Sequence, residues 1–202
     1  MRHFRVYSNL LAIVIVCLPC ITFAAPINSR LPHAHQRVYL FRGFLNVFSL
    51  GMDQLASELR QQGIEAVVAN HTLSGVYANE AIKDCKSGQI ASIAIVGHSL
   101  GASAGIGMAD QLAQSGVKVA LVVTVDPVTP TAAPGNVKTV KNFYFSDGVG
   151  KTVQRSNDFH GSLQNIDMKA DPSAGHVSLA NSVRLHREVL QYVRAAAGSR
   201  CQ

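Results

Sequence analysis

Hydrophobic positions along the chain fall into short runs of two kinds. Runs rich in apolar, aromatic or β-branched residues, typical of strands, cover residues 36–41, 64–69, 90–96, 117–125 and 140–145, and a weaker run covers 163–168. Apolar residues at helical spacing predict helices over 52–62, 78–86, 102–113 and 177–197. Strands that alternate with helices predict an α/β fold in which a doubly wound, mostly parallel sheet is flanked by helices.

Polar and small residues follow several of these strands. In parallel α/β sheets, ligand sites gather beyond the carboxyl ends of the strands. The residues at those ends are Gly43, Ser99, Asp126 and Asp147, and His176 lies just ahead of the last helix. These five positions are therefore the first candidates for function.

The segment Gly97-His98-Ser99-Leu100-Gly101 joins the strand at 90–96 to the helix at 102–113. A sharp strand-to-helix turn of this kind holds a serine hydroxyl clear of the backbone, where a base can reach it. Such a turn crowds strand against helix, so it needs small residues two before and two after the serine. Gly97 and Gly101 occupy those places, which indicates a nucleophile elbow with Ser99 at its apex.

A serine nucleophile needs a base, and the chain has 8 histidines. His176, in the loop that follows the last predicted strand, comes after both candidate acids in the chain and is the favoured base. The others are assigned to the leader, to the N-terminal arm, to packing beneath the serine, or to helix and loop positions: His3, His33, His35, His71, His98, His160 and His186.

Two aspartates compete to orient the base. Asp126 ends the most apolar strand and is followed by Pro127, so its side chain should be held rigidly at the sheet edge. Asp147 precedes Gly148, and Asp-Gly is a common turn dipeptide. Asp126 is favoured, with Asp147 as the alternative acid.

The elbow, the order Ser-Asp-His and the β/α alternation over about residues 36–197 resemble the α/β-hydrolase fold superfamily. Within it the chain is most similar to compact thioesterase-like and small lipase or esterase members. The resemblance implies a serine hydrolase that cleaves carboxylic esters or thioesters through an acyl-enzyme on Ser99. It also implies an oxyanion hole from the backbone N–H groups of Leu100 and Phe44, with Leu45 as an alternative to Phe44. Arg42 stands where many members of the superfamily carry a histidine.

The interval from Asp126 to His176 has room for two strands and their connections, so we expect a minimal hydrolase domain over 36–202 without a cap. An open site suits a small-molecule or lipid-like ester. A hydrolase-fold binding protein without activity, and a serine peptidase or amidase, remain alternatives. The sequence has neither a His-x-x-x-His pair nor a glycine-rich phosphate loop, so no metal and no cofactor is predicted.

The N-terminus has the pattern of a secretory signal peptide. Two arginines precede an apolar block at residues 10–23, and Ala24-Ala25-Pro26 follows. Residues 1–24 are therefore predicted to be a signal peptide and 25–35 an N-terminal arm, which places the protein in the periplasm or outside the cell. Of the 4 cysteines, Cys85 and Cys201 lie beyond the leader, and an oxidising compartment makes them a candidate disulfide.

The formal net charge is +6, and the basic residues are scattered. No run of Lys and Arg interleaved with aromatic residues indicates a nucleic-acid groove, so no nucleic-acid partner is expected. The excess of positive charge is compatible with peripheral contact with an anionic membrane surface.

Overall fold

The computed structural model describes residue 1 and residues 35–44, 49–171 and 175–202. The predicted signal peptide, the N-terminal arm before His35, and Leu45 lie outside the described residues, apart from Met1. The elements described all belong to one unit of the chain, Leu31–Gln202. Its strands are β1 (His35–Arg42), β2 (Glu65–Asn70), β3 (Ile90–His98), β4 (Leu121–Val125), β5 (Thr131–Ala133), β6 (Thr139–Tyr144), β7 (Val153–Arg155) and β8 (Ser162–Asp167). Its α-helices are α1 (Gly51–Gln61), α2 (Ser74–Lys86), α3 (Leu100–Gln114) and α4 (Val183–Ala196).

Six strands form one parallel sheet in the order β2-β1-β3-β4-β6-β8. The predicted α/β class with a mostly parallel sheet is thereby confirmed. From β1 the chain passes first to β2 on one side and then returns to β3 on the other. The connections after β1 and β3 therefore diverge, and they leave a crevice at the carboxyl ends of these two strands.

Helices cover both faces of the sheet, which explains why the central strands β3 and β4 are buried along almost their whole length. Alternate residues of each strand point to opposite faces. Tyr39 and Phe41 of β1 belong to the core shared with α2 and α3. Val38 and Leu40 belong to the core shared with α1 and α4.

Several boundaries differ from the sequence predictions. β4 begins at Leu121 instead of residue 117, because Val119 makes only an isolated bridge to Val137. The last helix begins at Val183 instead of 177: a 3₁₀ turn, Leu179–Asn181, comes first, and the Ser182 hydroxyl then accepts a hydrogen bond from the Leu185 N–H. α2 begins at Ser74, four residues earlier than predicted. The two-stranded parallel sheet of β5 and β7 was not predicted.

A disulfide joins Cys85, near the end of α2, to Cys201, with 6.2 Å between the two Cα atoms. The Cys201 N–H donates to the carbonyl of Ala91, at the amino end of β3. The predicted bridge is thus present, and it lies at the edge of the sheet opposite Ser99. Within the described ranges, no helix combines the length and the apolar character that a membrane span requires.

Candidate active site

Ser99 occupies the turn between β3 and α3 and has φ 58° and ψ −123°, a conformation that few non-glycine residues adopt. Glycines on both sides make this turn possible. A Cβ at Gly97 would collide with the backbone of Gly101, and a Cβ at Gly101 would collide with the carbonyl of Phe41. The small residues of the elbow are therefore required by the close approach of α3 to β3 and β1.

The structure brings Ser99, His176 and Asp126 together. The Nε2 atom of His176 lies 3.0 Å from Ser99 Oγ, and its Nδ1 atom lies 2.6 Å from Asp126 Oδ2. A carboxylate only accepts hydrogen bonds, so Nδ1–H donates to it and the lone pair of Nε2 faces the serine hydroxyl. Asp126 is fully buried, Ser99 is buried, and the side chain of His176 is 31% exposed.

Asp126 is held from several sides. Its own N–H donates to the carbonyl of Phe143 at 2.7 Å, and the N–H of Phe145 donates to its Oδ1 atom at 2.8 Å. Gly150 packs so closely that a Cβ there would collide with Oδ1. One carboxylate oxygen is therefore engaged by the backbone after β6, and the other is directed at His176.

Asp147, the alternative acid, lies in the connection after β6, where its side chain is exposed. The imidazole of His176 pairs with Asp126, which follows β4. The connection that carries Asp147 instead covers Asp126 through Phe145 and Gly150.

The segment after β1 lies against the elbow. A Cβ added at Gly43 would be 2.9 Å from the Ser99 Cβ and 3.0 Å from the carbonyl oxygen of His98. The Gly43 N–H donates to the Ser49 hydroxyl at 2.9 Å, and Phe44, predicted to supply an oxyanion donor, is the next residue along the chain. Leu100 is the first residue of α3, and the N–H groups of a first helical turn have no partner within the helix.

Arg42, the last residue of β1, is engaged by Asp53 in the first turn of α1. Its Nε donates to Asp53 Oδ2 at 2.7 Å, and its Nη2 donates to the other carboxylate oxygen. These hydrogen bonds raise the pKa of Arg42 and lower the pKa of Asp53. The pair ties the end of β1 to the start of α1.

Beside the serine lies an open depression of about 210 Å³, lined by Phe44, Ser49, His98, Ser99, His176 and Val177. A larger depression, of about 620 Å³, lies at the amino ends of the strands near Lys118 and Arg200, and it contains none of the three residues above. Among the described residues, no three side chains of His, Cys, Asp or Glu are grouped as a metal site would require.

Two buried polar residues next to this site were not predicted to act in it. His98 was expected to pack beneath the serine; its imidazole is 1% exposed and contacts both Ser49 and the backbone of His176. Burial lowers the pKa of His98. Only its place inside the elbow motif could have drawn attention to His98, and no sequence pattern marks Ser49.

No protein-family model matches the sequence, and no curated protein matches it either. Solved structures do resemble the fold. The type II thioesterase BorB from the borrelidin biosynthetic cluster is 10% identical, with a TM-score of 0.50 over 81% of this chain and 94% of that chain. Est1E from Butyrivibrio proteoclasticus is 11% identical, with a TM-score of 0.50 over 83% of this chain and 88% of that chain. The chain has the α/β-hydrolase fold, as its sequence predicted.

Proposed function

We propose that the protein is an exported serine hydrolase that cleaves carboxylic esters or thioesters, with lipase-like or esterase-like specificity. The observation that carries the proposal is the unbroken hydrogen-bonded series from Ser99 Oγ through both ring nitrogens of His176 to the buried carboxylate of Asp126, with separations of 3.0 Å and 2.6 Å. A serine, an imidazole and a buried carboxylate in this order form a nucleophile, its base and the group that orients the base.

In the proposed acylation step, Ser99 Oγ attacks the carbonyl carbon of the substrate while its proton passes to Nε2 of His176. The former carbonyl oxygen becomes negatively charged, and the N–H groups of Leu100 and Phe44 would stabilise it. When the tetrahedral intermediate collapses, the bond to the alcohol or thiol breaks. The imidazolium returns its proton to that leaving group, and the acyl group stays on Ser99.

Deacylation repeats the chemistry with water. His176 takes a proton from a water molecule, whose oxygen attacks the acyl carbon, and the proton then returns to Ser99 Oγ as the acid product leaves. Asp126 keeps its charge throughout, and it favours the imidazolium that forms in each half of the cycle.

The surroundings of Ser99 favour an apolar acyl group. Phe44 and Val177 line the depression and are 61% and 45% exposed. Apart from Met1, the other exposed large apolar side chains of the described residues lie in similar places. They belong to connections after strands or to the first turn of the following helix: Leu50, Leu73, Val76, Val149 and Val183. An edge of this kind suits an ester presented at an apolar or membrane surface.

The Cys85–Cys201 disulfide is compatible with an extracellular location, since such bridges persist in oxidising compartments. We therefore include export in the proposal, and we propose that the signal peptide at residues 1–24 directs it.

Labelling with a fluorophosphonate tests this function. We expect the folded wild-type protein to gain one adduct, located at Ser99 by peptide mass spectrometry, and Ser99→Ala to gain none. Ester, thioester and amide substrates of matched acyl chain should then show turnover of esters and thioesters far above that of amides. A folded wild-type protein that is neither labelled nor active would identify a binding protein, and amide turnover equal to ester turnover would identify a peptidase or amidase.

A further inference from the structure

We propose that His98 is a positioning residue, which fixes the backbone of the base His176 relative to the segment after β1 that carries the proposed oxyanion donor. The inference rests on the proposed function, because it assigns a task within the same site. A hydrogen-bond series of Gly43, Ser49, His98 and His176 would perform that task.

The series consists of three contacts, of which two join buried residues and the third joins buried His98 to half-buried His176. The Gly43 N–H lies 2.9 Å from Ser49 Oγ, Ser49 Oγ lies 2.7 Å from His98 Nδ1, and His98 Nε2 lies 2.7 Å from the carbonyl oxygen of His176. Ser49 and His98 are each 1% exposed. Water therefore has little access to the side chains of Ser49 and His98, and losing one of their contacts would leave a buried polar group unsatisfied.

The donor and the acceptor of each hydrogen bond can be assigned from the two groups at the ends of the series. A carbonyl oxygen only accepts, so His98 Nε2 carries a proton. In a neutral imidazole the Nδ1 atom then accepts the Ser49 hydroxyl proton, and Ser49 Oγ in turn accepts the Gly43 N–H. Burial has the largest influence: it lowers the pKa of His98 and so favours the neutral form. The hydrogen bond to the His176 carbonyl and the carboxylate of Asp126 oppose this shift, and the imidazole of His176 adds to it. A single tautomer thus satisfies all three contacts.

The geometry indicates why these contacts matter for the base. His176 lies outside the helices and strands, next to the 3₁₀ turn, and Asp126 holds only its ring. His98 holds its carbonyl, and the rings of the two histidines lie 5.1 Å apart at 35°. Because His98 immediately precedes Ser99 in the chain, the proposed nucleophile and the backbone of the base are both tied to His98. The Ser49 hydroxyl connects His98 in turn to the Gly43 N–H.

A second buried histidine provides a matched control. His186 in α4 is 3% exposed, with its Nε2 atom 2.8 Å from the carbonyl of Ala180 and its Nδ1 atom 3.1 Å from Glu58. Its Nε2 atom faces a backbone carbonyl, as that of His98 does, but its Nδ1 atom faces a carboxylate instead of a hydroxyl, and none of these contacts is with the three proposed catalytic residues. His186→Phe therefore measures the effect of losing a buried, hydrogen-bonded imidazole elsewhere in the fold.

The test compares His98→Phe, Ser49→Ala and Ser49→Thr with His186→Phe in the full protein. We expect His98→Phe to lower kcat for an ester about 10- to 100-fold with KM changed less than about threefold, because small displacements of a reacting group are costly. Ser49→Ala should lower kcat about threefold to tenfold, and Ser49→Thr, which keeps the hydroxyl, should restore most of it. His186→Phe should lower the melting temperature only.

Folded His98→Phe with wild-type kcat would overturn the proposal. If His98→Phe does not fold, Ser49→Ala with wild-type kcat would overturn it in the same way. Nitrogen NMR of the histidine rings supplies a readout that does not require activity: we expect His98 as the neutral Nε2–H tautomer and altered His176 signals in Ser49→Ala. An inactive wild type with these signals would refute the proposed function alone, while another His98 tautomer, or unaltered His176 signals, would refute the positioning role.

Discussion

Ser99 and Asp126 are the residues other than glycine with positive φ in the described part of the chain, and both contact His176. Such conformations persist where surrounding contacts enforce them. At Ser99 the close packing of α3 does so, and at Asp126 the hydrogen bonds with Phe143 and Phe145 do so. The backbone is thus bent away from ordinary geometry at the two positions that we propose as nucleophile and acid.

The two candidate acids can be separated by substitution. Asp126→Asn should reduce kcat for an ester about 10³- to 10⁴-fold, because an amide cannot stabilise the imidazolium and favours the wrong tautomer of His176. Asp147→Asn, at an exposed position, should leave kcat within about twofold. Steady-state kinetics on both variants, with circular dichroism to confirm folding, checks this. A larger loss in Asp147→Asn than in Asp126→Asn would reverse the assignment.

Between elements, the Arg42–Asp53 pair links the end of β1 to the first turn of α1, next to the segment that carries Phe44. Its side chains are 24% and 40% exposed, so solvent screens the interaction and its contribution to stability is small. The lowered pKa of Asp53 nevertheless gives that contribution a defined pH dependence.

Asp53→Asn should lower the free energy of unfolding at pH 7 by about 0.5–1 kcal/mol. The pKa of Asp53 is lower in the folded state, so the stabilisation is complete above the unfolded-state value near 3.8 and disappears as the pH falls through the folded-state value. Urea titrations of wild type and variant at pH 7, 5 and 3 should show a difference that persists at pH 5 and shrinks at pH 3. A difference that grows on acidification would contradict the expected sign.

The central strands of the main sheet were predictable because burial on both faces makes β3 and β4 largely apolar, whereas the short strands β5 and β7 were not predictable. Each of these two strands has three residues, and only Ala133 and Val153 in them are buried. No periodic pattern can develop over so short a length. The apolar run at 117–125 overestimated β4, because burial against α3 also makes the residues before a strand apolar.

At the site, the sequence placed Ser99, Asp126 and His176 at one edge of the sheet because parallel strands present their carboxyl ends together. Contacts between side chains that lie in separate connections produce no recognisable pattern in the sequence. The hydrogen bond between Ser49 and His98 joins residues 49 positions apart, and neither composition nor spacing predicts it. The same holds for the pairing of Arg42 with Asp53.

In the molecule as a whole, the proposed catalytic residues and the disulfide lie at opposite edges of the sheet. The three proposed catalytic residues follow the carboxyl ends of strands, and the disulfide lies at the amino end of β3. The bridge closes a loop across a sequence separation of 116. A long loop restricts the unfolded chain strongly, so the bridge should contribute to stability and not to catalysis.

Replacing both cysteines, Cys85→Ser with Cys201→Ser, should lower the free energy of unfolding by about 2–5 kcal/mol. Below the shifted unfolding transition, kcat should stay within about twofold of the wild type, because the bridge is remote from Ser99. Urea titrations and ester kinetics on the double variant check both parts. Unchanged stability, or a large loss of kcat in the folded double variant, would contradict the assignment of the bridge to stability and not to catalysis.

The covalent ring closed by Cys85 and Cys201 contains Ser99, Asp126 and His176. If a protease cuts the backbone once inside that ring, the disulfide keeps the two fragments attached. Neither fragment can then diffuse away with some of the three proposed catalytic residues. Nicked protein would then migrate as one species on a non-reducing gel and as two after reduction. If the protein is exported as we propose, the bridge would keep a singly cut chain together among proteases outside the cell.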